Sequence, residues 1–191
     1  MNKSGDENRS VRNTKRRLKE GLVQLLAEKS ITQITVRELT ELVDINRGTF
    51  YFHYKDIFDM LHQIEDDFFE QFSQVINREI ETGNKDYPFI RAIFAFIKEN
   101  SDIVAIMLGK NSDIDFVIRL KRLLLDRCEK HWREKMHITD DTELAVYSAF
   151  IVAGCVGIIK RWLDDGLAES VEEISKLAGT VIDASLAPYF K

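Results

Sequence analysis

The chain has 191 residues, 45% of them hydrophobic and 31% charged, with 2 Pro, 9 Gly and 2 Cys. That length holds one large domain or a small one joined to a mid-sized one, and the composition excludes a disordered, collagenous or turn-rich all-β protein. The formal net charge of −5 argues against nucleic acid as a sum, yet residues 1–56 carry 11 basic and 8 acidic side chains, leaving 16 basic and 24 acidic for the rest.

Periodicity is helical throughout, with no convincing strand. A polar tail, Met1 to about Asn8, is expected to be disordered and to lead into a first helix with Leu18, Leu22, Leu25 and Leu26 on one stripe. Arg12, Lys15, Arg16 and Lys19 lie on an adjacent face, and residues 9–19 hold six basic side chains and no acidic one. Such a face is either solvated or set against phosphates. Thr35-Val36-Arg37-Glu38 reads as a capping box in which hydroxyl and carboxylate each satisfy an orphan N–H. It opens a short helix with Val36, Leu39, Leu42 and Val43 expected inward. Asp44-Ile45-Asn46 breaks that helix, and Asn46 caps the next, about Arg47 to Tyr54. Two short helices joined by a tight polar turn make a helix-turn-helix candidate.

Asp56 caps a long helix to about Thr82, with Phe58, Leu61, Ile64, Phe68 and Phe72 along one side. Gly83 to Tyr87 reads as a loop and Pro88 as a helix start. The helix to Asn100 carries Ile90, Ile93, Phe94 and Ile97. Ser101 or Asn100 caps a shorter helix ending near Gly109, and Ser112 opens one through Met136. Asp140 with Glu143 starts a helix ending at Asp165-Gly166, and Ser170-x-x-Glu173 caps the last, which stops at Pro188. About nine helices result, an all-α fold. Cys128 and Cys155 build no disulfide framework, and His62, His131 and His137 show no metal spacing. Trp132 and Trp162 have no cofactor context, and no cofactor is expected. No apolar run approaches the roughly 20 residues of a membrane span. The N-terminus lacks a signal peptide's apolar core, so the expected compartment is the cytoplasm.

Residues 35–58, TVRELTELVDINRGTFYFHYKDIF, resemble the helix-turn-helix signature of the TetR family of bacterial transcriptional regulators. Thr35, the apolar turn residue Ile45, and Arg47-Gly48-Thr49-Phe50-Tyr51-x-His53-Tyr54 carry the likeness. Gly154-x-x-Gly157 with Arg161-Trp162-Leu163-x-x-Gly166 resembles the family's penultimate helix. The family often has a lysine two residues beyond Lys55, where this chain has Ile57. The resemblance implies a helix-turn-helix DNA-binding domain over residues 9–56 and a helical effector-binding and dimerisation domain over 57–191. It further implies a homodimeric repressor, not an enzyme, released from a palindromic operator by a small molecule. A helix-turn-helix coactivator whose C-terminal domain binds a protein partner is the alternative.

The residue chemistry is consistent with that likeness. Arg47 suits a guanine edge or a phosphate, and Thr49, Tyr51 and His53 suit phosphates, with Tyr51 also suited to a thymine methyl. Gly48 lets the backbone approach the groove. Thr35 and Arg37 at a helix N-terminus, and Lys55, suit phosphates. Phe50 and Tyr54 read as core, and His53 has packing as its alternative. Ala145, Ala149, Ala153 and Gly157 recur every fourth residue and permit close helix approach, within the subunit or across a dimer. Ile174, Leu177, Ala178, Val181 and Ser185 share one side of the last helix. In the family these two helices form the dimer interface. Phe68, Phe69, Phe72, Phe89, Phe94, Phe96 and Phe116 are candidates to line the effector pocket, with ordinary core as the alternative.

Overall fold

The computed structural model describes residues 3–82, 88–109, 114–136 and 140–186, and among these it contains nine α-helices, one 3-10 turn and no strand. The all-α expectation stands. Expectations resting on residues 83–87, Ser112, His137 and Pro188, and on the side chains of Cys128, His131 and Trp132, lie outside the described residues.

Helix α1 spans Lys3–Glu28, so Lys3 to Asn8 are helical where a disordered tail was expected. A 3-10 turn at Ile31–Gln33, unanticipated from the sequence, leads to α2 (Val36–Leu42) and α3 (Arg47–His53). Only half of the expected box forms at α2: Thr35 Oγ1 accepts the Glu38 N–H at 3.2 Å, while the Glu38 carboxylate pairs with Lys29. At α3, Asn46 Oδ1 accepts the Gly48 N–H at 2.7 Å, as expected. Between the two helices Asp44 adopts φ 49°, the left-handed region.

Helix α4 runs Ile57–Thr82 and is capped as expected, the Asp59 N–H donating to Asp56 Oδ1 at 2.8 Å. Its inward ridge is Ile57, Met60, Ile64, Phe68, Phe72 and Ile76, all buried. Phe58 is exposed and Leu61 half-buried, which corrects the expected stripe: the helix begins at Ile57, and that residue seeds the inward face. Helices α5 (Pro88–Glu99), α6 (Ser101–Met107), α7 (Ile114–Met136), α8 (Asp141–Asp164) and α9 (Val171–Leu186) complete the chain. Asp140 Oδ1 caps α8 through the Thr142 and Glu143 N–H groups. The Ser170/Glu173 box at α9 is reciprocal. Asn100 stands at the N-cap of α6 but makes no side-chain cap bond; its Nδ2 donates backwards to the Phe96 carbonyl at 2.9 Å and closes α5. Past α8, Gly166 takes φ 70° and the Leu167 N–H reaches the Trp162 carbonyl at 2.8 Å, a Schellman ending.

The chain divides into two compact units, Met1–Phe68 and Phe69–Lys191. In the first, Leu18, Leu22, Leu25 and Leu26 of α1 join Ile34, Leu39, Phe50 and Ile57 in the core. Gly21 sits where α1 meets α2: a Cβ there would land on Val43 Cγ1 and lie 3.0 Å from Leu39 Cδ1. Leu42, expected inward, is exposed, because a helix of only seven residues buries one ridge, Leu39 with Thr40.

In the second unit, α5 packs on α9 and α7 on α8, with α8 also touching α6 and α9. Ile90, Ile93, Phe94 and Ile97 of α5 are buried as expected. Trp162 is fully buried, its Nε1–H donating to the Glu169 carbonyl at 3.0 Å and its ring edge-on to Phe94 at 5.5 Å. One expectation is overturned here. By length and composition α8 is apolar enough to cross a membrane, with a mean hydropathy of 1.9 over its best 18-residue window. Its alanine and glycine spacing hides that run from a search for bulky apolar residues.

Candidate nucleic-acid interface

Helix α3 has one buried side chain. Phe50 is fully buried, with Tyr51 edge-on at 5.5 Å and Tyr54 tilted at 5.6 Å. Pinning a seven-residue helix by one aromatic leaves the rest of its circumference outward. Arg47, Gly48, Thr49, Tyr51 and Phe52 are exposed, and His53 is half-buried. A recognition helix needs this division, back on the scaffold and polar and aromatic groups toward a groove.

Helix α1 reaches the same surface. Lys15 Nζ lies 5.7 Å from the Tyr54 ring centroid, a cation–π distance, and Tyr54 is buried as expected. Partial burial, then the Lys15 charge, hold the His53 imidazole below its ordinary pKa. The ring is therefore neutral at pH 7, with the Lys15 charge near enough to disfavour its protonation. Burial likewise lowers the Lys19 ammonium, against the pull of Asp67, and raises the Tyr54 phenol. Arg12 and Lys15 are exposed, and Arg16 is exposed while bonded to Glu20 at 2.7 Å and Asn13 at 2.9 Å.

Around the α2 start, Thr35 and Arg37 are exposed, and Arg37 Nε donates to Glu41 Oε1 at 2.8 Å. The same oxygen lies 3.8 Å from Arg47 Nη2. Glu41 thus stands between the two arginines expected to meet DNA, a neighbour that sequence reasoning missed. Its signal was the i, i+4 spacing from Arg37. Lys55 is exposed, and its backbone N–H bonds Asp59 Oδ2 at 2.8 Å, which holds the Asp59 carboxyl below its usual range. Ile57, which stands where the family often has lysine, is buried and belongs to the core.

Arg17 departs from its basic neighbours. Its guanidinium donates to the Val43 and Asp44 carbonyls, stitching α1 to the turn between α2 and α3. That ties α1 to the turn preceding α3, a structural use of one charge in the basic run.

A family description for the C-terminal region of TetR-type transcriptional regulators matches residues 84–184, more than half of the chain. The chain belongs to the TetR family of transcriptional regulators. An uncharacterised HTH-type transcriptional regulator of Bacillus subtilis (strain 168), YxbF, is 23% identical over 169 residues, 83% of this chain. The chain spans 42% of that relative's length. A TetR transcriptional regulator from Streptococcus agalactiae 2603V superposes with a TM-score of 0.63 at 22% identity, covering 94% of this chain and 98% of that one. SmeT, the repressor of the Stenotrophomonas maltophilia multidrug efflux pump SmeDEF, superposes in its triclosan complex with a TM-score of 0.69 at 18% identity, covering 94% and 92%. At these identities the structures speak for the fold.

In this TetR-family chain the second unit carries an exposed apolar surface. Ala145, Ala149, Ala153 and Gly157 are all exposed, and a Cβ built on Gly154 or Gly157 would meet nothing within 4 Å beyond its chain neighbours and its own helix backbone. Beside them Val146 is 63% and Phe150 65% exposed. On α9, Leu177 and Val181 are exposed while Ile174 and Ala178 are buried, so the single face expected from the sequence is two faces. The buried one packs within the subunit. Phe68, Phe72, Phe94 and Phe116 are all buried. In the second unit Phe72 stacks on Phe96 at 5.4 Å and Phe116 on Phe69 at 4.9 Å. Among the described residues no group of His, Cys, Asp or Glu is placed to hold a metal. Burial pushes the Cys155 thiol up to about 11, which makes it unreactive at neutral pH.

Proposed function

We propose that the protein is a homodimeric repressor that binds a palindromic DNA operator and is released by a small-molecule effector. The observation that carries the reading is the division of α3: Phe50 buried behind, Arg47, Thr49 and Tyr51 outward, with Lys15 and His53 beside them. Residues 9–56 read the DNA, with Arg47 and Tyr51 at base edges and Thr35, Arg37, Thr49, His53, Lys55, Arg12, Lys15 and Arg16 on phosphates. Gly48 allows the close approach. Two such heads about one DNA turn apart need a twofold axis. The exposed α8–α9 surface of Ala145, Ala149, Ala153, Gly157, Leu177 and Val181 supplies it, and its apolar character supports that assignment. The apolar length of α8 then serves helix pairing, and the protein works in the cytoplasm, where its DNA is. The second unit binds the effector beside Phe72, Phe94 and Phe116, shifting the population between two dimer geometries.

The test is affinity for the DNA upstream of its own gene and its neighbours, measured across a salt series. Specific binding whose logarithm falls linearly with log salt supports the reading; equal binding to random duplex sinks it. If specific binding holds but no small molecule of a broad panel weakens it, the coactivator alternative takes the place of the effector mechanism.

A further inference from the structure

Phe52 is 79% exposed, more than any other large hydrophobic side chain among the described residues. It sits two residues from Phe50, about 200° around the helix, diametrically opposite the buried anchor. The residue one turn before it on that ridge is Gly48, which has no side chain. Phe52 is therefore the side chain that α3 pushes furthest from its scaffold. The His53 ring meets its ring edge-on, 5.0 Å between centroids and 83° between planes.

We propose that Phe52 is a specificity-determining residue that reads a thymine C5-methyl in the major groove. Apolar contact with that methyl is the one sequence-specific contact a phenylalanine makes with a base edge, since its ring neither donates nor accepts a conventional hydrogen bond. The occupant follows from charge. Arg47 and Lys55 flank Phe52 in the chain, Arg37 joins Arg47 through Glu41, and all three are exposed, so a second copy docked there head to head would set like charges together, whereas duplex DNA complements them. Desolvating an exposed phenylalanine against a methyl is favourable and needs no polar partner. The inference rests on the DNA-binding reading and deepens it: an operator half-site contains a thymine whose methyl matters.

The experiment uses the full chain. Duplexes enriched by the wild-type protein from a random pool are resynthesised with single thymine-to-uracil replacements, which delete the methyl and keep the base pairing. The expected result is one thymine per half-site where methyl loss weakens wild-type binding about fourfold. In F52A that same replacement has no effect, and F52L keeps part of it. The exposure of Phe52 predicts that both variants retain wild-type helical content and thermal midpoint. Equal methyl dependence in wild type and F52A, or F52A affinity equal to wild type, overturns the proposal while leaving DNA binding intact. Failure of the wild-type protein to enrich any duplex takes down the DNA-binding reading and this proposal together.

Discussion

The two exposed surfaces of this chain are built on opposite plans. On α3 a single fully buried aromatic holds seven residues, and what faces outward is an arginine, hydroxyls and two rings. On α8 the buried row, Leu144, Ser148, Ile151, Val152, Ile159 and Trp162, is backed by an outward row nearly as apolar: Ala145, Val146, Ala149, Phe150 and Ala153. Water covers the first at little cost. The second leaves a wide hydrophobic area that another helix would cover. The first surface thus suits a hydrated, charged partner held by directional contacts, the second a dry partner held by area.

The largest test of that contrast is a charge in the dry surface. Ala149→Glu points into solvent in one subunit, so the subunit folds, but in the proposed interface it buries an unpaired carboxylate. A penalty of about 3–5 kcal/mol is expected, weakening dimerisation by at least about 100-fold. Sedimentation should show a monomer, and operator affinity should collapse with it. An A149E protein that stays dimeric would move the interface elsewhere. Phe52→Glu, equally exposed but on the wet surface, should leave the dimer intact.

Arg47→Ala should have the next largest effect, costing about 1–3 kcal/mol of specific binding and relaxing preference at one position of each half-site. Its dimerisation should be unchanged. A loss that is uniform across sequences, with a shallower salt slope, would instead place Arg47 on a phosphate. Glu41 complicates this arginine, since it lies 3.8 Å away and must yield Arg47 to the DNA.

Much of this contrast was legible in the sequence, and the failures have physical causes. Caps announce themselves locally: Asn46, Asp56, Asp140 and the Ser170/Glu173 pair each bond to a backbone N–H two or three residues on. Glu38 failed because a cap competes with tertiary partners, and Lys29 lay closer to hand. Inward faces were read correctly on α1 and α5, where long helices bury a full stripe. Leu42 and Phe58 were misplaced near the ends of α2 and α4, where the stripe's phase depends on where the helix starts. In the candidate site, the polar residues could be named from the motif. Arg17's use as a stitch could not, because its acceptors are carbonyls 26 and 27 residues away. Nor could Phe52, since an aromatic beside Phe50 and Tyr54 reads as core until the helix is seen to bury only one ridge.

The third prediction concerns pH and separates His53's two environments. In the free protein, burial and Lys15 lower its pKa, so the unfolded chain, near about 6.5, binds the proton more readily. Its contribution to stability is therefore fully present above about 6.5 and declines as pH falls from there through the lowered folded value. A phosphate between His53 and Lys15 reverses the preference and favours the charged ring. Operator affinity should then rise for the dimer between pH 7.5 and 5.5 while the free protein's thermal midpoint falls. His53→Gln should flatten both trends. A pH-independent affinity in the wild-type protein would assign His53 to packing alone.

The smallest effect tests the turn that aims α3. Asp44 holds φ 49°, a conformation that costs an L side chain about 1–2 kcal/mol, least for Asp and Asn, whose short polar groups bond locally. Glycine removes the steric cost but has more freedom to lose on folding. Asp44→Gly should therefore leave stability within about 0.5 kcal/mol of wild type, and Asp44→Ala should cost about 1 kcal/mol, both read from urea midpoints. The Arg17 bonds go to carbonyls, so neither variant removes them. Because the strain sits beside the recognition helix and far in sequence from α8 and α9, Asp44→Ala should lower operator affinity while leaving the dimer's dissociation constant unchanged. An alanine variant as stable as the glycine one would mean that the turn is not left-handed at this residue, and that α3 is aimed by the Arg17 stitch alone.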